Sequence, residues 1–302
     1  MTNLQDKYAG CLLGLACGDA VGTTVEFSPR GSFAPLTDMV GGGPFRLEAG
    51  QWTDDTSMAL CLAHSLVQCQ GFDAADQMQR YCDWMNHGYM SSNGRCFDIG
   101  ITVRNALRAF ETTGNPFSGS TDPYSAGNGS IMRLAPVPMA YSPDVTAVLH
   151  YTAESSRTTH GASECVEACR LFGVMLHLAL TGSSKERILR QTLYQPTLPK
   201  IQAIANGDYR HKTESEIRGS GYVADSLEAA LFCFVQSDSF DTAVLMAANL
   251  GDDADTTAAV CGQLAGAYYG RAGIPAAWLD KLAMRTEIET LALQLWALAR
   301  DA

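Results

Sequence analysis

The sequence is poor in the features that mark several common protein classes. Its ten cysteines are scattered and include no C-x-x-C pair, the spacing typical of zinc and redox sites. Residues 1–7 lack the basic segment of a secretory signal, and we expect no apolar run as long as a membrane span. These features predict a cytoplasmic protein with reduced, buried thiols and no membrane partner.

Positive charge is also scarce. Lysine and arginine total 21, whereas aspartate and glutamate total 32, so the formal net charge is −11. A chain this acidic repels polyanions, which argues against nucleic acid as a partner. An anionic substrate would have to be received by bound cations, backbone amides and helix N-termini rather than by a basic patch.

Alternating strand patterns are weak, and helical periodicity dominates. We predict one all-α domain over residues 1–302. Helices are expected at residues 4–20, 55–70, 73–86, 98–111, 144–152, 161–181, 185–193, 225–235, 240–249, 255–269 and 276–299. Two irregular stretches, Pro29 to Gly50 and Thr113 to Ser130, interrupt the pattern. Long loops in a compact domain are usually functional or disordered, and we expect function because both adjoin candidate site residues.

Small residues recur at a spacing of four in two distant segments. They are Gly10, Gly14, Gly18 and Gly22 in the first, and Ala254, Ala258, Gly262, Gly266 and Gly270 in the second. This spacing puts each series on one helix face. Glycine inside a helix costs roughly 1 kcal/mol relative to alanine, so such a run needs a structural reason. We predict that the two helices pack closely, which would bring Asp19 and Glu26 near the second acidic cluster described next.

Two acidic clusters lie almost two hundred residues apart, each just before an apolar, helix-like run. They read Thr53-Asp54-Asp55-Thr56 and Asp252-Asp253-Ala254-Asp255-Thr256. Ordinary helix capping is the default interpretation of either alone, but each offers more carboxylates than one cap needs. Several aspartates facing one another need a cation or raised pKa values. Hard oxygen ligands suit Mg²⁺ or Mn²⁺, so we interpret the pair as halves of one metal site.

Further segments carry a family resemblance. The matching pieces are Gly10-Cys11-Leu12-Leu13-Gly14-Leu15-Ala16-Cys17-Gly18-Asp19-Ala20, Glu26-Phe27, Trp52-Thr53-Asp54-Asp55-Thr56, Phe97-Asp98-Ile99-Gly100, Gly127-Asn128-Gly129-Ser130-Ile131-Met132-Arg133, Thr159-His160, Gly221-Tyr222-Val223 and Gly251-Asp252-Asp253-Ala254-Asp255-Thr256. In this order they resemble the ADP-ribosylglycohydrolase family, which includes the dinitrogenase-reductase-activating glycohydrolase and the ADP-ribosyl-arginine hydrolases. Each piece alone is a weak signal, whereas the ordered series covers nearly the whole chain.

The resemblance implies a compact all-α fold with a binuclear Mg²⁺ or Mn²⁺ centre. The implied metal ligands are Thr53, Asp54, Asp55, Asp253, Asp255 and Thr256. Asp252 stays outside this set because many relatives have glycine there. Glu26 matches a glutamate that gates the substrate in some relatives, and Asp98 matches an acidic residue beside the reacting ribose. Ile101 departs from the asparagine typical of the dinitrogenase-reductase subgroup, which leaves the protein substrate open.

The resemblance also implies where the substrate binds. The backbone of the turn Gly127-Asn128-Gly129-Ser130 would approach the diphosphate, since glycine permits open backbone geometry. Tyr222 would stack on adenine or line the ribose pocket, and His160 would hydrogen-bond the substrate. Structural alternatives remain for three residues: a helix cap for Asp98, an internal hydrogen bond for His160 and core packing for Tyr222.

The implied activity is hydrolysis of the N-glycosidic bond between ADP-ribose and an arginine, on a protein or a small conjugate. Two divalent ions polarise bound oxygens, and Asp98, or one of Asp54 and Asp55, would be the general acid or base, with Glu26 nearby. Alternatives are a serine, nucleobase or O-acetyl-ADP-ribose linkage, a phosphatase, and a non-enzymatic regulatory relative. The intact ligand set counts against the last of these.

Overall fold

The computed structural model describes residues 4–301, and within them the chain is built from α-helices, as the sequence predicts. The helices are α1 (Leu4–Gly22), α2 (Asp54–Gln68), α3 (Ala74–His87), α4 (Ile101–Thr113), α5 (Pro136–Tyr141), α6 (Val145–Thr159), α7 (Ser163–Leu180), α8 (Lys185–Leu189), α9 (Pro199–Asn206), α10 (Val223–Gln236), α11 (Phe240–Ala248), α12 (Ala254–Tyr269), α13 (Ala276–Lys281) and α14 (Arg285–Asp301). Extended backbone pairs in this part of the chain only as isolated bridges. Residues 1–3, which are part of the segment predicted not to be a secretory signal, lie outside the described residues.

The two glycine-rich helices, α1 and α12, lie against each other at the centre. A Cβ atom built on Gly10 would lie 2.3 Å from the Gly266 carbonyl oxygen, and one on Gly266 would lie 1.9 Å from the Gly10 oxygen. These distances leave no space for any side chain. The predicted close packing of the two backbones is therefore confirmed. The helices α7, α10 and α11 pack on α12, while α14 packs on α1 and α2.

The central position of α1 explains its composition. The segment Leu4–Val25, 22 residues long, is apolar enough to cross a membrane by length and composition alone. The expectation that no run reaches this length is therefore wrong. In the structure 94% of its apolar window is buried inside the protein, because α12 and α14 cover it. Its apolar character is that of a core helix.

The structure corrects several predicted boundaries. Short helices α5 and α9, which begin at Pro136 and Pro199, were not expected from periodicity, because neither is long enough to show it. The range 276–299 is divided into α13 and α14, and Met284 between them has a φ of 51°, which a continuous right-handed helix excludes. Likewise α4 begins at Ile101 rather than at residue 98, because Asp98 has a φ of 59°.

The cysteines follow the prediction of reduced core thiols. Within residues 4–301 all ten are free, and eight of them are buried. Burial raises the pKa of thiols such as Cys11 and Cys17, which keeps them protonated and unreactive. Cys69 is exposed and Cys96 is half-buried.

Candidate active site

The start of α2 is held by an aspartate from a different helix. The Asp19 carboxylate of α1 accepts hydrogen bonds from the backbone N–H groups of Thr53 and Thr56 at 2.9 and 3.0 Å. It also accepts from their hydroxyls at 3.0 and 2.6 Å. Asp19 is fully buried, and burial raises its pKa to about 6 although these hydrogen bonds oppose the rise. Asp19 thus accepts from two of the N–H groups at the start of α2, which otherwise lack a partner within the helix, so it takes the place of a local cap there.

The two acidic motifs meet around one hydroxyl. The Thr53 Oγ1 atom lies 3.0 Å from Asp19 Oδ1, 3.3 Å from Asp55 Oδ2 and 3.2 Å from Asp255 Oδ2. Thr256 Oγ1, at the start of α12, lies 3.3 Å from the same oxygen of Asp55. A hydroxyl has one proton to donate, so Thr53 cannot satisfy three carboxylates. The carboxylate oxygens around Thr53 therefore have too few hydrogen-bond donors, and no cationic side chain is among these contacts.

Two carboxylate oxygens in this cluster confirm that deficit. Asp55 Oδ1 and Asp255 Oδ1 are buried and have no hydrogen-bond partner within the described residues. Burial and the neighbouring carboxylates raise the pKa values of both residues well above their usual range. An unpaired buried carboxylate is costly unless it is protonated or bound to a cation. The donor set fits hard divalent cations, which bind carboxylate and hydroxyl oxygens.

Glu26 and Asp98 extend the cluster towards solvent. Together with Asp255 they offer carboxylate oxygens that all lie within 4.8 Å of one another. Burial, followed by the charges of Asp98 and Asp253, raises the pKa of Glu26 to about 9. Burial, followed by the charges of Asp19 and Asp253, raises the pKa of Asp98 to about 7. The capping alternative for Asp98 fails, since the N-cap residue of α4 is Gly100, which has no side-chain cap.

A cavity of about 620 Å³ opens above these carboxylates. The predicted site residues that line it are Glu26, Asp54, Asp98, Gly127, Asn128, Gly129, His160, Asp253, Asp255 and Thr256. Thr53 and Asp55 are fully buried and belong to the oxygen cluster described above rather than to the lining. The structure thus brings together most of the residues that the sequence singles out.

The turn after residue 126 does more than border the cavity. Asn128 Nδ2 donates a hydrogen bond to Asp253 Oδ2 at 2.7 Å, so this amide orients a carboxylate of the α12 motif. Ser130, predicted to contact substrate, has its hydroxyl inside the protein, where Ser156 Oγ donates to it at 3.0 Å. Ser130 is 2% exposed and does not line the cavity. The lining part of the turn is Gly127 to Gly129.

His160 reaches the cavity as a neutral imidazole. Burial lowers its pKa to about 3, helped by the charge of Arg133, and Thr159 Oγ1 lies 2.9 Å from its Nδ1 atom. Its ring lies against Gly129, where a Cβ atom would come within 2.7 Å of His160 Cε1. The His160 ring and the turn at Gly129 therefore hold each other in place. His160 has an internal polar contact with Thr159 and also lines the cavity.

Tyr222 lies in an adjoining cavity of about 510 Å³, which shares Thr102, Gly127 and Gly221 with the first. Its hydroxyl donates to Glu164 Oε2 at 2.5 Å, and Lys200 Nζ lies 4.3 Å from its ring centre. The residue is thus part of a polar wall next to the carboxylate site. It is also half-buried and packs against the core, so the packing alternative is compatible with a place in this wall.

Sequence reasoning missed one feature of the rim. The Phe27 N–H group donates to the Asp252 carbonyl at 2.7 Å, and the Asp252 N–H group donates to the Ser28 carbonyl at 2.8 Å. These bonds join the segment after α1 to the segment before α12. Both side chains line the cavity. The two residues are 225 positions apart, and the pairing uses only backbone groups. Their side-chain types therefore give no signal of it in the sequence.

Comparison with known proteins agrees with this geometry. A family model described as ADP-ribosylglycohydrolase matches residues 1–302. The chain is 49% identical to the ADP-ribosylarginine hydrolase Tri1 of Pseudomonas putida (strain GB-1), over 96% of this chain and 78% of that protein. It is 33% identical to the ADP-ribosyl-[dinitrogen reductase] glycohydrolase of Rhodospirillum rubrum, over 95% of this chain and 94% of that protein.

A solved structure also matches. It is described as an ADP-ribosylglycohydrolase-related protein complex, superposes with a TM-score of 0.88 at 42% identity, and the match covers 99% of this chain and 100% of that chain. Sequence family, fold and the arrangement of carboxylates thus point the same way. The chain belongs to the ADP-ribosylglycohydrolase family.

Proposed function

We propose that this protein hydrolyses the N-glycosidic bond between ADP-ribose and the guanidine group of an arginine, which reverses mono-ADP-ribosylation of a protein. The observation that carries the proposal is the crowding of Asp55, Asp255 and Thr53 oxygens, two of them unpaired, beneath a cavity large enough for a nucleotide-sized ligand. The relatives from Pseudomonas putida and Serratia proteamaculans, at 49% and 46% identity, are ADP-ribosylarginine hydrolases by name.

The proposed cofactor is a pair of Mg²⁺ or Mn²⁺ ions. The residues that would hold them are Thr53, Asp54, Asp55, Asp253, Asp255 and Thr256. When bound, such ions supply Lewis-acid polarisation of substrate oxygens and of water. Support for the pair comes from the unpaired Oδ1 atoms of Asp55 and Asp255 and from the hard-oxygen character of the whole set.

The remaining polar residues have roles of their own in the proposed reaction. Water adds to the anomeric carbon of the ribose, the carbon–nitrogen bond breaks, and the guanidine nitrogen gains a proton. Asp98 lines the cavity, and its pKa of about 7 suits it to take the proton from water and deliver one to the leaving nitrogen. Glu26, whose pKa is about 9, would keep a proton and hydrogen-bond the ribose.

The rest of the cavity would hold the ADP portion. The Gly127 to Gly129 backbone borders the path into the second cavity, where the Tyr222 ring is available to an adenine. Neutral His160 offers a hydrogen bond without adding charge beside the diphosphate. Asn128 supports the site indirectly through its bond to Asp253. The buried free thiols support a cytoplasmic location as part of this proposal.

The test compares linkages. The protein with Mn²⁺ or Mg²⁺ is incubated separately with arginine-, serine- and nucleobase-linked ADP-ribose, and products are followed by mass spectrometry. We expect intact ADP-ribose from the arginine linkage and a loss of at least about 100-fold in turnover for Asp55→Ala or Asp255→Ala. Asp144→Ala, which removes the cap of α6, is the matched control and should keep parental turnover.

The same experiment distinguishes the alternatives. Faster release from serine or a nucleobase would reassign the linkage, and cleavage within the diphosphate would indicate phosphoryl transfer instead. Full turnover by either cluster variant contradicts the mechanism. A protein that binds no Mg²⁺ or Mn²⁺ at millimolar concentration in calorimetry would be a non-enzymatic relative.

A further inference from the structure

A phenylalanine and an aspartate are joined through their backbones at the rim of the cavity. Phe27 is 65% exposed although it is a large apolar residue, and Asp252 is exposed next to it. The two hydrogen bonds that connect Phe27 and Ser28 to Asp252 fix the two backbones relative to each other. They form one rigid unit, which we call the rim pair (Phe27 and Asp252).

Both members of the rim pair adopt an unusual backbone conformation. Phe27 has a φ of 61°, in the left-handed region that a bulky residue rarely occupies, and Asp252 has a φ of 56°, which aspartate adopts more readily. Such outliers persist where the surrounding structure enforces them, and they cluster at ligand sites. The Asp252 carboxylate makes no hydrogen bond or ion pair within residues 4–301. An exposed ring on a strained backbone, next to a residue with an unpaired charge, is suited to contact a ligand.

The position of the rim pair identifies which part of a substrate it would meet. Glu26, directly before Phe27, belongs to the carboxylate group with Asp98 and Asp255, which marks the reacting end of the cavity. The second cavity continues from Gly127 and Gly221 and does not include the rim pair in its lining. If the ADP portion extends into that second cavity, the group attached to the ribose leaves past the rim pair.

We infer that the rim pair binds the guanidinium of the modified arginine. This inference rests on the function proposed above. A guanidinium is a planar cation that packs on aromatic faces and donates paired N–H groups to a carboxylate. Phe27 supplies the face and Asp252 the charge. A serine or an acetyl group offers neither planarity nor positive charge, so the pair selects the linkage without taking part in bond cleavage.

The test separates the acceptor from the ADP-ribose portion. Asp252→Asn removes the charge and tolerates the same φ, and Phe27→Leu removes the aromatic face. For each variant we expect the KM for an arginine-linked peptide to rise about fivefold, with kcat within about twofold of the parent. The Kd for free ADP-ribose, measured by calorimetry, should stay within about twofold. Asp238→Asn, an exposed aspartate outside both cavities, is the matched charge control.

Each outcome decides the inference. An unchanged KM in both variants, or an equal loss of affinity for free ADP-ribose, overturns it, since the pair would then be inert or purely structural. Failure of the proposed function looks different, because the parent itself would then release no ADP-ribose from the peptide. In that case the uncleaved peptide is titrated directly, and the ratio of its Kd to that of ADP-ribose in parent and variants still tests the rim pair.

Discussion

Aspartates stand at the starts of helices in two settings in this molecule, and they act differently in each. At α3 and α6, Asp73 and Asp144 accept hydrogen bonds from two backbone N–H groups of their own first turn. At α2 and α12, the N-cap residues Thr53 and Asp253 make no such bond to their own helix. The first setting is ordinary capping, whereas the second leaves carboxylates available for a ligand.

The difference arises from tertiary contacts. Asp19 of α1 caps α2 from outside, and Asn128 of the turn holds the Asp253 carboxylate. Both helix starts are therefore supported by residues remote in sequence. Aspartates that would each stabilise a helix alone are instead pointed at one another, at a cost in electrostatic repulsion that a cation would relieve.

The largest test of this contrast breaks the packing that brings the two uncapped starts together. Gly266→Leu and Gly14→Leu should each lower the free energy of unfolding by at least about 3 kcal/mol, since a Cβ on Gly266 meets the Gly10 oxygen at 1.9 Å and one on Gly14 meets the Gly262 oxygen at 2.3 Å. Urea denaturation measures the effect. Gly100→Leu is the control, because a Cβ there meets nothing within 4 Å. Parental stability in both packing variants would refute the central contact.

A second test uses pH and added metal. The pKa values of Asp98 and Glu26 are about 7 and 9, against ordinary values of 3.8 and 4.5. The folded metal-free protein therefore holds protons that the unfolded chain releases. The stability from these groups is complete below about pH 4 and is lost as pH rises through 7 and 9.

Divalent cations should replace those protons. We expect Mg²⁺ or Mn²⁺ to raise Tm more at pH 8 than at pH 5.5, with a gain of about 2.7 kcal/mol at a hundredfold excess over Kd. Differential scanning calorimetry at the two pH values measures the shift. An equal shift at both, or none at either, would mean that the carboxylate cluster is not where the cation binds.

The smallest expected effect compares the two kinds of helix start directly. Asp73→Ala should cost about 1 kcal/mol of stability because it removes a cap, and should leave the response to metal intact. Asp253→Ala should cost no cap, since Asp253 caps nothing, but should weaken the response to metal. Chemical denaturation with and without Mn²⁺ measures both. If the two variants lose the same stability and respond equally to Mn²⁺, the distinction between capping and ligand-binding aspartates is wrong.

Much of this architecture follows from local sequence patterns. Small residues spaced four positions apart predict the contact between α1 and α12. Each acidic motif has more carboxylates than a helix cap needs, which predicts that the two motifs form one site. The short helices α5 and α9 escape such reasoning, since a helix of 6 or 8 residues shows barely two turns of periodicity.

The sequence singles out most of the residues that line the cavity, but not the contacts that hold them in place. Asp19 lies in a helix interior by sequence, and nothing local indicates that its carboxylate caps α2. The bond from Asn128 to Asp253 spans 125 positions, and the inward rotation of Ser130 depends on Ser156 from another helix. Long-range hydrogen bonds of this kind are set by the assembled fold, so a single sequence leaves them undetermined.

The contact between α1 and α12 has a consequence for how the carboxylate site keeps its dimensions. From Gly10 to Gly22 the nearest neighbours along the glycine face of α1 are main-chain atoms of α12 and the residues that follow it, so main-chain contact sets most of that separation. Substitutions in the outer helices can therefore change the protein surface while the distance between the carboxylates at the starts of α2 and α12 stays the same. If the proposed function holds, substrate preference is free to diverge while the spacing of the carboxylates stays constant.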